Sequence, residues 1–188
     1  MEWVRGRLPE HRFLHTVGVY ETVPELCSLH GVAEEPLRMA ALLHDCAREL
    51  DDEEMLRLAG QWGLHLREED QLAPVLLHGR IAIEIARREF GDLHPDTESA
   101  ILNHTSGHPT MSDSDKVFFL ADSIEPGRVN PVVEELRLMA RGDIDAAMLR
   151  TVEVNRAFLV TRGAIIDPDT LRLHEVLRTL VHGPRASY

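Results

Sequence analysis

Apolar residues recur at helical spacing along nearly the whole chain, whereas strict alternation of apolar and polar residues is almost absent. A repeat of about 3.6 residues places an apolar stripe along a helix, and a repeat of two places an apolar face on a strand. The pattern therefore predicts an all-α fold. A chain of 188 residues is long enough to bury the core of one domain, so we expect a single compact domain over residues 1–188.

Cap and stop signals predict where the helices begin and end. The earlier helices are expected at about 8–30, 36–47, 51–62, 74–90, 96–104 and 116–124. Gly31 and Gly91 follow two of these segments and are typical helix stops. Ser112 to Asp115 forms a capping-box pattern before the sixth segment. Asn130-Pro131 and Asp167-Pro168 each combine a capping residue with a proline, which predicts the starts of two of the last three helices.

The charge balance excludes some classes of partner. The chain has 32 acidic and 20 basic residues, a net charge of −12 with neutral histidines, which disfavours a broad surface for nucleic acid or for an anionic membrane. Two cysteines are too few for a disulfide scaffold or a thiolate-rich zinc cluster. The sequence shows neither a targeting pattern nor the ~20 consecutive apolar residues of a bilayer span. We expect a cytoplasmic protein with no membrane or nucleic-acid partner.

Histidine is abundant, with 11 residues, and some histidines and aspartates stand beside apolar helical runs. His44 and Asp45 follow Met39–Leu43, and Asp122 follows Val117–Ala121. A buried carboxylate at such a position is costly unless it is paired or bound to a metal. Imidazole and carboxylate together suit iron, manganese, zinc and similar divalent metals. The candidate metal ligands, in chain order, are His15, His44, Asp45, His78, His104 and Asp122.

The ordered ligands and the residues around them resemble the HD-domain metal-dependent phosphohydrolases, and in particular the bacterial YqeK family of symmetrical bis(5'-nucleosyl)-tetraphosphatases. The resemblance covers most of the chain, and the strings that carry it are Arg12-Phe-Leu-His15, His44-Asp45, His78-Gly79, His104-Thr105-Ser-Gly107 and Asp122-Ser-Ile-Glu125-Pro-Gly-Arg128. It implies a compact HD-domain helical bundle. The metal-binding core would span about 8–128, with additional C-terminal helices at about 129–188.

The resemblance also implies a reaction. Four of the six candidate ligands match the pattern that binds one metal, while His78 and His104 match a subgroup that holds two. Asp45 would bridge the two ions and position a hydroxide. That metal-bridging hydroxide would attack an inner phosphorus of diadenosine tetraphosphate and release two ADP. The family suggests iron, and the same ligands also fit manganese, cobalt or zinc.

Five further residues are candidates for contact with the substrate or the ligands. Arg48 lies one helical turn after the His-Asp pair, and Arg128 lies just past the sixth predicted helix. Because a guanidinium donates two parallel hydrogen bonds to phosphate, we expect both arginines to bind substrate phosphates. Thr105 and the backbone around Gly107 are expected to add donors. Glu125 is expected to orient a metal ligand or an arginine from behind.

Two alternatives to this function stay open from the sequence. The first is an HD phosphohydrolase that acts on another nucleotide, such as (p)ppGpp or a (deoxy)nucleotide. The second is a non-catalytic HD module that binds nucleotide. The expected partner is a dinucleoside polyphosphate, and a homodimer is possible because the C-terminal helices could serve either dimerisation or closure of the substrate pocket.

Overall fold

The computed structural model describes residues 1–183, whose regular secondary structure is entirely helical. This confirms the predicted all-α fold. The eleven α-helices of residues 1–183 are α1 (Glu2–Arg5), α2 (Glu10–His30), α3 (Glu34–Leu43), α4 (Asp52–Gln61), α5 (Glu68–Leu72), α6 (His78–Phe90), α7 (Pro95–Asn103), α8 (Asp113–Ile124), α9 (Val133–Ala140), α10 (Ile144–Thr161) and α11 (Pro168–His182). A 3₁₀ segment, Pro74–Leu77, leads directly into α6.

Most predicted boundaries agree with the structure to within a few residues. Gly31 ends α2 in the left-handed conformation, with φ of +66°. The capping box of Ser112 and Asp115 opens α8, and Asp167 caps α11 by accepting from the amide of Asp169. The start predicted at Asn130-Pro131 is early, because α9 begins at Val133. The short helices α1 and α5 were not predicted.

The second predicted helix ends earlier than expected. The pattern predicted a helix to residue 47, but α3 ends at Leu43 and residues 44–49 form successive turns. The reason is local: Nδ1 of His44 bonds to the carbonyl of Ala41 at 2.9 Å, the carbonyl that the amide of Asp45 would take in a continued helix. The sequence predicted that Arg48 lies on the same helical face as His44. This prediction is wrong, because both residues lie after the end of α3.

The core is built around α8. Its residues Val117 to Ala121 are all at most 2% exposed, and the helix packs against α2, α3, α7, α9 and α10. One hydrophobic cluster runs from Val19 in α2 to Leu177 in α11. The carboxyl end of α8, which carries Asp122, is therefore held from several sides at once.

The C-terminal helices dock onto this core. α10 packs against α8 and α11, and Thr170 of α11 donates to the carbonyl of Ser106 at 2.7 Å. The single-domain boundary stays a prediction, and its last five residues, 184–188, lie outside the described residues. Within the part of the chain that the structure describes, no helix is both long and apolar enough to cross a membrane.

Candidate metal centre

The structure brings the six candidate ligands together in one place, here called the six-residue cluster. They come from five different helices or their ends: one each from α2, α6, α7 and α8, and two from the turn after α3. Two sets of three ligand atoms lie within 4.8 Å of one another, and they are His15, His44 and Asp122, and His44, Asp45 and His104. Because His44 belongs to both sets, they form one continuous centre.

Three of the histidines are positioned by the same local device. The Nδ1 atoms of His44, His78 and His104 bond to the backbone carbonyl three residues earlier, at 2.9, 2.6 and 2.6 Å. Each histidine also stands at a helix boundary. A carbonyl can only accept, so each Nδ1 carries the hydrogen and each Nε2 keeps its lone pair for another partner.

Asp45 lies at the middle of the cluster and divides the imidazoles into two pairs. Its Oδ2 lies 3.9 Å from Nε2 of His15 and 3.7 Å from Nε2 of His44. Its Oδ1 lies 3.5 Å from Nε2 of His78 and 3.8 Å from Nε2 of His104. A carboxylate that presents one oxygen to each pair has the arrangement that bridging between two metal ions requires.

Glu125 supports the cluster from behind through His15. Its Oε1 lies 3.1 Å from Nδ1 of His15, whose Nε2 lies 2.9 Å from Oδ1 of Asp122. The carboxylate of Glu125 is buried, accepts from the amide of Gly127, and fills the space that a Cβ at Gly18 would occupy. Glu125 therefore determines which way the His15 ring faces.

Both aspartates of the cluster favour the charged state. Burial opposes ionisation of Asp45, but His44 and the other imidazoles outweigh it and hold the pKa of the carboxyl well below its usual range. For Asp122, the hydrogen bond from His15 and the charge of Arg128 likewise outweigh burial and lower the pKa. Two negative charges thus lie in one cluster, one on the buried Asp45 and one on the half-buried Asp122.

The pKa values of the four imidazoles are shifted in different directions. Burial lowers the pKa of His44, and burial together with the neighbouring His104 lowers the pKa of His78 to about 3. For His104, the nearby negative charges of Asp45 and Asp122 outweigh burial and raise the pKa. For His15, bonds to two carboxylates outweigh burial and raise the pKa to about 9. Each pair thus contains one imidazole with a raised pKa, His15 or His104, and one with a lowered pKa, His44 or His78.

The donor set fits divalent metal ions. Nε2 of His78 lies 2.9 Å from Nε2 of His104, and both rings have already used their Nδ1 hydrogens. Two facing lone pairs at this distance repel each other, and a proton or a metal ion bound to these nitrogens relieves the repulsion. With two ionised aspartates beside them and neutral nitrogen ligands available, the cluster has the composition of a borderline divalent-metal site.

A cavity of about 470 Å³ opens beside the six-residue cluster, and Arg48 lies in its wall. Among residues 1–183, Arg48 has no carboxylate within ion-pair distance. Burial and the charge of Arg12 lower its pKa, as expected for a cation whose charge is poorly compensated. The side chain is therefore free to bind an anion in the cavity.

Sequence reasoning missed Arg12, which also lines the cavity. Its guanidinium contacts Oδ2 of Asp45 at 3.3 Å and Glu49 at 2.8 Å. It precedes His15 by three residues on α2, so helical spacing could have placed it on the same face. Arg12 holds the central carboxylate in place and adds positive charge at the cavity wall.

The other three predicted substrate contacts are placed differently. Arg128 bonds to Oδ1 and to the carbonyl of Asp122, both at 3.0 Å, so it holds a ligand at the cavity wall. Thr105 lies 3.1 Å from Nε2 of His104. Gly107 lines only a smaller adjoining cavity of about 220 Å³, and its amide already donates to the carbonyl of Asn103. Its positive φ of +68° and its close packing on Leu173 explain why glycine stands there.

Comparison with known proteins agrees with this geometry. The family model for the HD domain matches residues 12–127, which include all six residues of the cluster. A crystal structure from Clostridium acetobutylicum, described as a predicted HD superfamily hydrolase involved in NAD metabolism, superimposes with a TM-score of 0.90. It is 32% identical, and the match covers 95% of each chain.

Curated relatives give a finer assignment. The chain is 36% identical over 179 residues to a protein of Halalkalibacterium halodurans named symmetrical bis(5'-nucleosyl)-tetraphosphatase, with 94% of each chain covered. A Bacillus subtilis protein of the same name is 35% identical, with 89% of each chain covered. The chain therefore belongs to the HD-domain family and, within it, to the family of the symmetrical bis(5'-nucleosyl)-tetraphosphatases.

Proposed function

We propose that this protein hydrolyses diadenosine tetraphosphate symmetrically to two ADP. The observation that carries the proposal is the position of Asp45, whose two oxygens each face one imidazole pair beside a cavity of about 470 Å³. A cavity of this size is in the range of small-molecule sites, ~300–1,000 Å³. Relatives that match nearly the whole chain carry the corresponding name.

Two divalent metal ions would be held by the six-residue cluster. His15, His44 and Asp122 would hold one ion, His78 and His104 would hold the other, and Asp45 would serve both. When bound, such ions supply Lewis acidity, which polarises a phosphoryl group and makes water more acidic. We propose iron as the native metal, and metal analysis of protein purified without oxygen tests this against manganese, cobalt and zinc.

The protein side chains bind and orient the polyphosphate. Arg48 is the strongest candidate for a phosphate contact, because its charge has no partner within residues 1–183 and it lines the cavity. Arg128 and Thr105 stand beside the ligands and would contact phosphate oxygens there. Arg12 and Glu125 act indirectly, since Arg12 holds Asp45 and Glu125 orients His15. The backbone of Gly107 stays a weaker candidate.

The reaction adds one water across the central anhydride. The oxygen of the water bonds to one inner phosphorus, and the bond from that phosphorus to the oxygen shared with the other inner phosphorus breaks. Each half then leaves as ADP. Because the same four phosphates allow cleavage at an outer anhydride, the position of the phosphate chain over the cluster determines the products. The predicted cytoplasmic location and homodimer stay predictions.

Product identification tests the proposal. Metal-loaded protein is incubated with diadenosine tetraphosphate, and the nucleotides are separated by anion-exchange chromatography. We expect two ADP per substrate consumed. Equal amounts of AMP and ATP would contradict symmetrical cleavage. A higher kcat/KM for (p)ppGpp or a deoxynucleotide would favour another HD phosphohydrolase, and tight nucleotide binding without turnover under any of the four metals would indicate a non-catalytic module.

A further inference from the structure

The cavity beside the six-residue cluster has two chemically different ends. One end carries the metal ligands and Arg48, and the other is lined by α10 and the loop that follows it. From that second end, Phe158, Leu159 and Ile165 present apolar surface to the cavity. Phe158 is 57% exposed and Ile165 is 37% exposed, although both are large apolar residues. An apolar surface joined to a phosphate-binding end is what a nucleotide needs.

Asn155, Phe158 and Leu159 form one face of α10. Their spacing of three and four residues places them side by side along the helix, and all three line the cavity. Asn155 is exposed and makes no side-chain hydrogen bond among residues 1–183. The Cζ atom of Arg162, one turn further on, lies 5.2 Å from the centre of the Phe158 ring. The face thus combines an aromatic ring, an unused amide and an aliphatic side chain.

We propose that this face of α10 is the nucleobase subsite, with Phe158 stacking on one adenine of the substrate and Asn155 bonding to its edge. The inference rests on the proposed function, because it takes the dinucleotide as the ligand. Phosphates held over the six-residue cluster leave one nucleoside to extend along the cavity towards α10. A side-chain amide offers one donor and one acceptor, which matches the N6 and N7 atoms of adenine.

The subsite lies outside the part of the chain that matches the HD domain. That match ends at residue 127, whereas Asn155 and Phe158 belong to α10 (Ile144–Thr161). The end of the cavity with the metal ligands is therefore formed by residues within the HD match. The end with the proposed nucleobase subsite is formed by residues that follow this match. This separation assigns reaction chemistry to one part of the cavity and substrate choice to the other.

Two binding probes separate the base from the phosphates. Calorimetry measures ADP and inorganic pyrophosphate on the metal-loaded protein, for wild type and for Phe158→Ala. Since stacking of a base on an aromatic side chain strengthens binding, we expect ADP to bind about tenfold more weakly to the variant, with pyrophosphate unchanged. Phe158→Tyr should restore ADP binding. Val160→Ala is the matched control, because Val160 is 66% exposed on the same helix and does not line the cavity.

The outcome for the subsite is independent of turnover. Equal weakening of both probes, or no weakening of either, overturns the stacking role even if the enzyme makes two ADP. If ADP binding falls selectively but diadenosine tetraphosphate is not cleaved, the proposed function fails and the subsite stands. For Asn155, wild type should prefer ADP over GDP, and Asn155→Ala should reduce that preference. If the ratio of the ADP and GDP affinities is unchanged in Asn155→Ala, the amide of Asn155 does not recognise the base.

Discussion

Two groups of buried or half-buried carboxylates lie near the same cavities and differ in how their charge is balanced. In one group, here called the arginine cluster, guanidinium groups pair with every carboxylate; its members are Arg67, Asp70, Arg80, Asp167, Asp169 and Arg172. In the six-residue cluster, Asp45 is surrounded mainly by imidazole Nε2 atoms that can accept a metal. The first group is complete within the protein, and the second needs a cation to be complete.

The comparison shows that the groups around a buried aspartate determine its role. An aspartate paired with arginines stabilises the fold, whereas one surrounded by imidazole nitrogens is available to a metal ion. Asp70 is fully buried and bonds to Arg67 at 3.2 Å and to Arg80. Arg67 also bonds to Asp167 at 2.8 Å, which ties this region to the start of α11. The arginine cluster therefore helps to hold the C-terminal helices, and with them the proposed nucleobase subsite, against the core.

The largest expected effect is on activity, from Asp45→Asn. The amide keeps the shape of the side chain but removes the charge shared by both imidazole pairs. Because metal ions supply several kcal/mol of transition-state stabilisation, and 1.36 kcal/mol is tenfold in rate, we expect kcat to fall about a thousandfold. In wild type, metal at 100 times its Kd should stabilise the fold by about 2.7 kcal/mol, and the variant should lose most of this gain.

Asp52→Asn, at an exposed position in α4, is the control. A wild-type kcat in Asp45→Asn would refute the bridging role.

A smaller effect, on stability alone, is expected from Asp70→Asn. Removing one partner of a buried ion pair costs roughly 3 kcal/mol or more, because the arginines lose their compensating charge. For a chain of this size the melting temperature should fall by ~6–12 °C, as measured by circular dichroism, while metal content stays at the wild-type value. Glu54→Gln, in an exposed pair with Arg57, should melt like wild type. If Asp70→Asn lost metal while its stability stayed unchanged, Asp70 would belong to the metal site and the distinction between the two clusters would be wrong.

The smallest effect is the pH dependence of that stability difference. Burial opposes ionisation of Asp70, but Arg67 and Arg80 outweigh it and lower its pKa in the folded protein. A carboxyl with a lowered folded-state pKa stabilises the fold above its unfolded pKa of ~3.9 and loses that contribution as the pH falls through the folded value. Urea melts should therefore show a constant gap between wild type and Asp70→Asn from pH 5 to 7, narrowing below about pH 4. A gap that widens in acid would contradict this assignment.

The helices were predictable because their signals are local. Apolar period, capping boxes and glycine stops each act within a few residues, and they predicted α2, α4, α8 and α11 closely. The end of α3 was predicted wrongly at residue 47, because a side-chain bond from His44 to Ala41 replaces a backbone bond. Helix propensity alone does not reveal such competition between a side chain and the backbone for one carbonyl.

Ligand types and their order along the chain were readable from the sequence, together with the family resemblance they carry. The way these ligands group in space was not readable from the sequence. That Asp45 presents one oxygen to each imidazole pair, and that Glu125 reaches His15 across 110 positions of sequence, depends on how five helices pack around α8. The same holds for Arg12, which sequence reasoning passed over, and for Gly107, whose amide is already used.

The sequence by itself determined the all-α class, the family and the six candidate ligands, because residue type and short-range spacing carry that information. Only the tertiary structure decided which buried aspartates are balanced by arginine and which face imidazole. It alone brought α10 to the cavity and left Phe158 exposed in the cavity wall. The physical reason is that charge compensation and cavity shape depend on distances between side chains far apart in the chain, which no local pattern encodes.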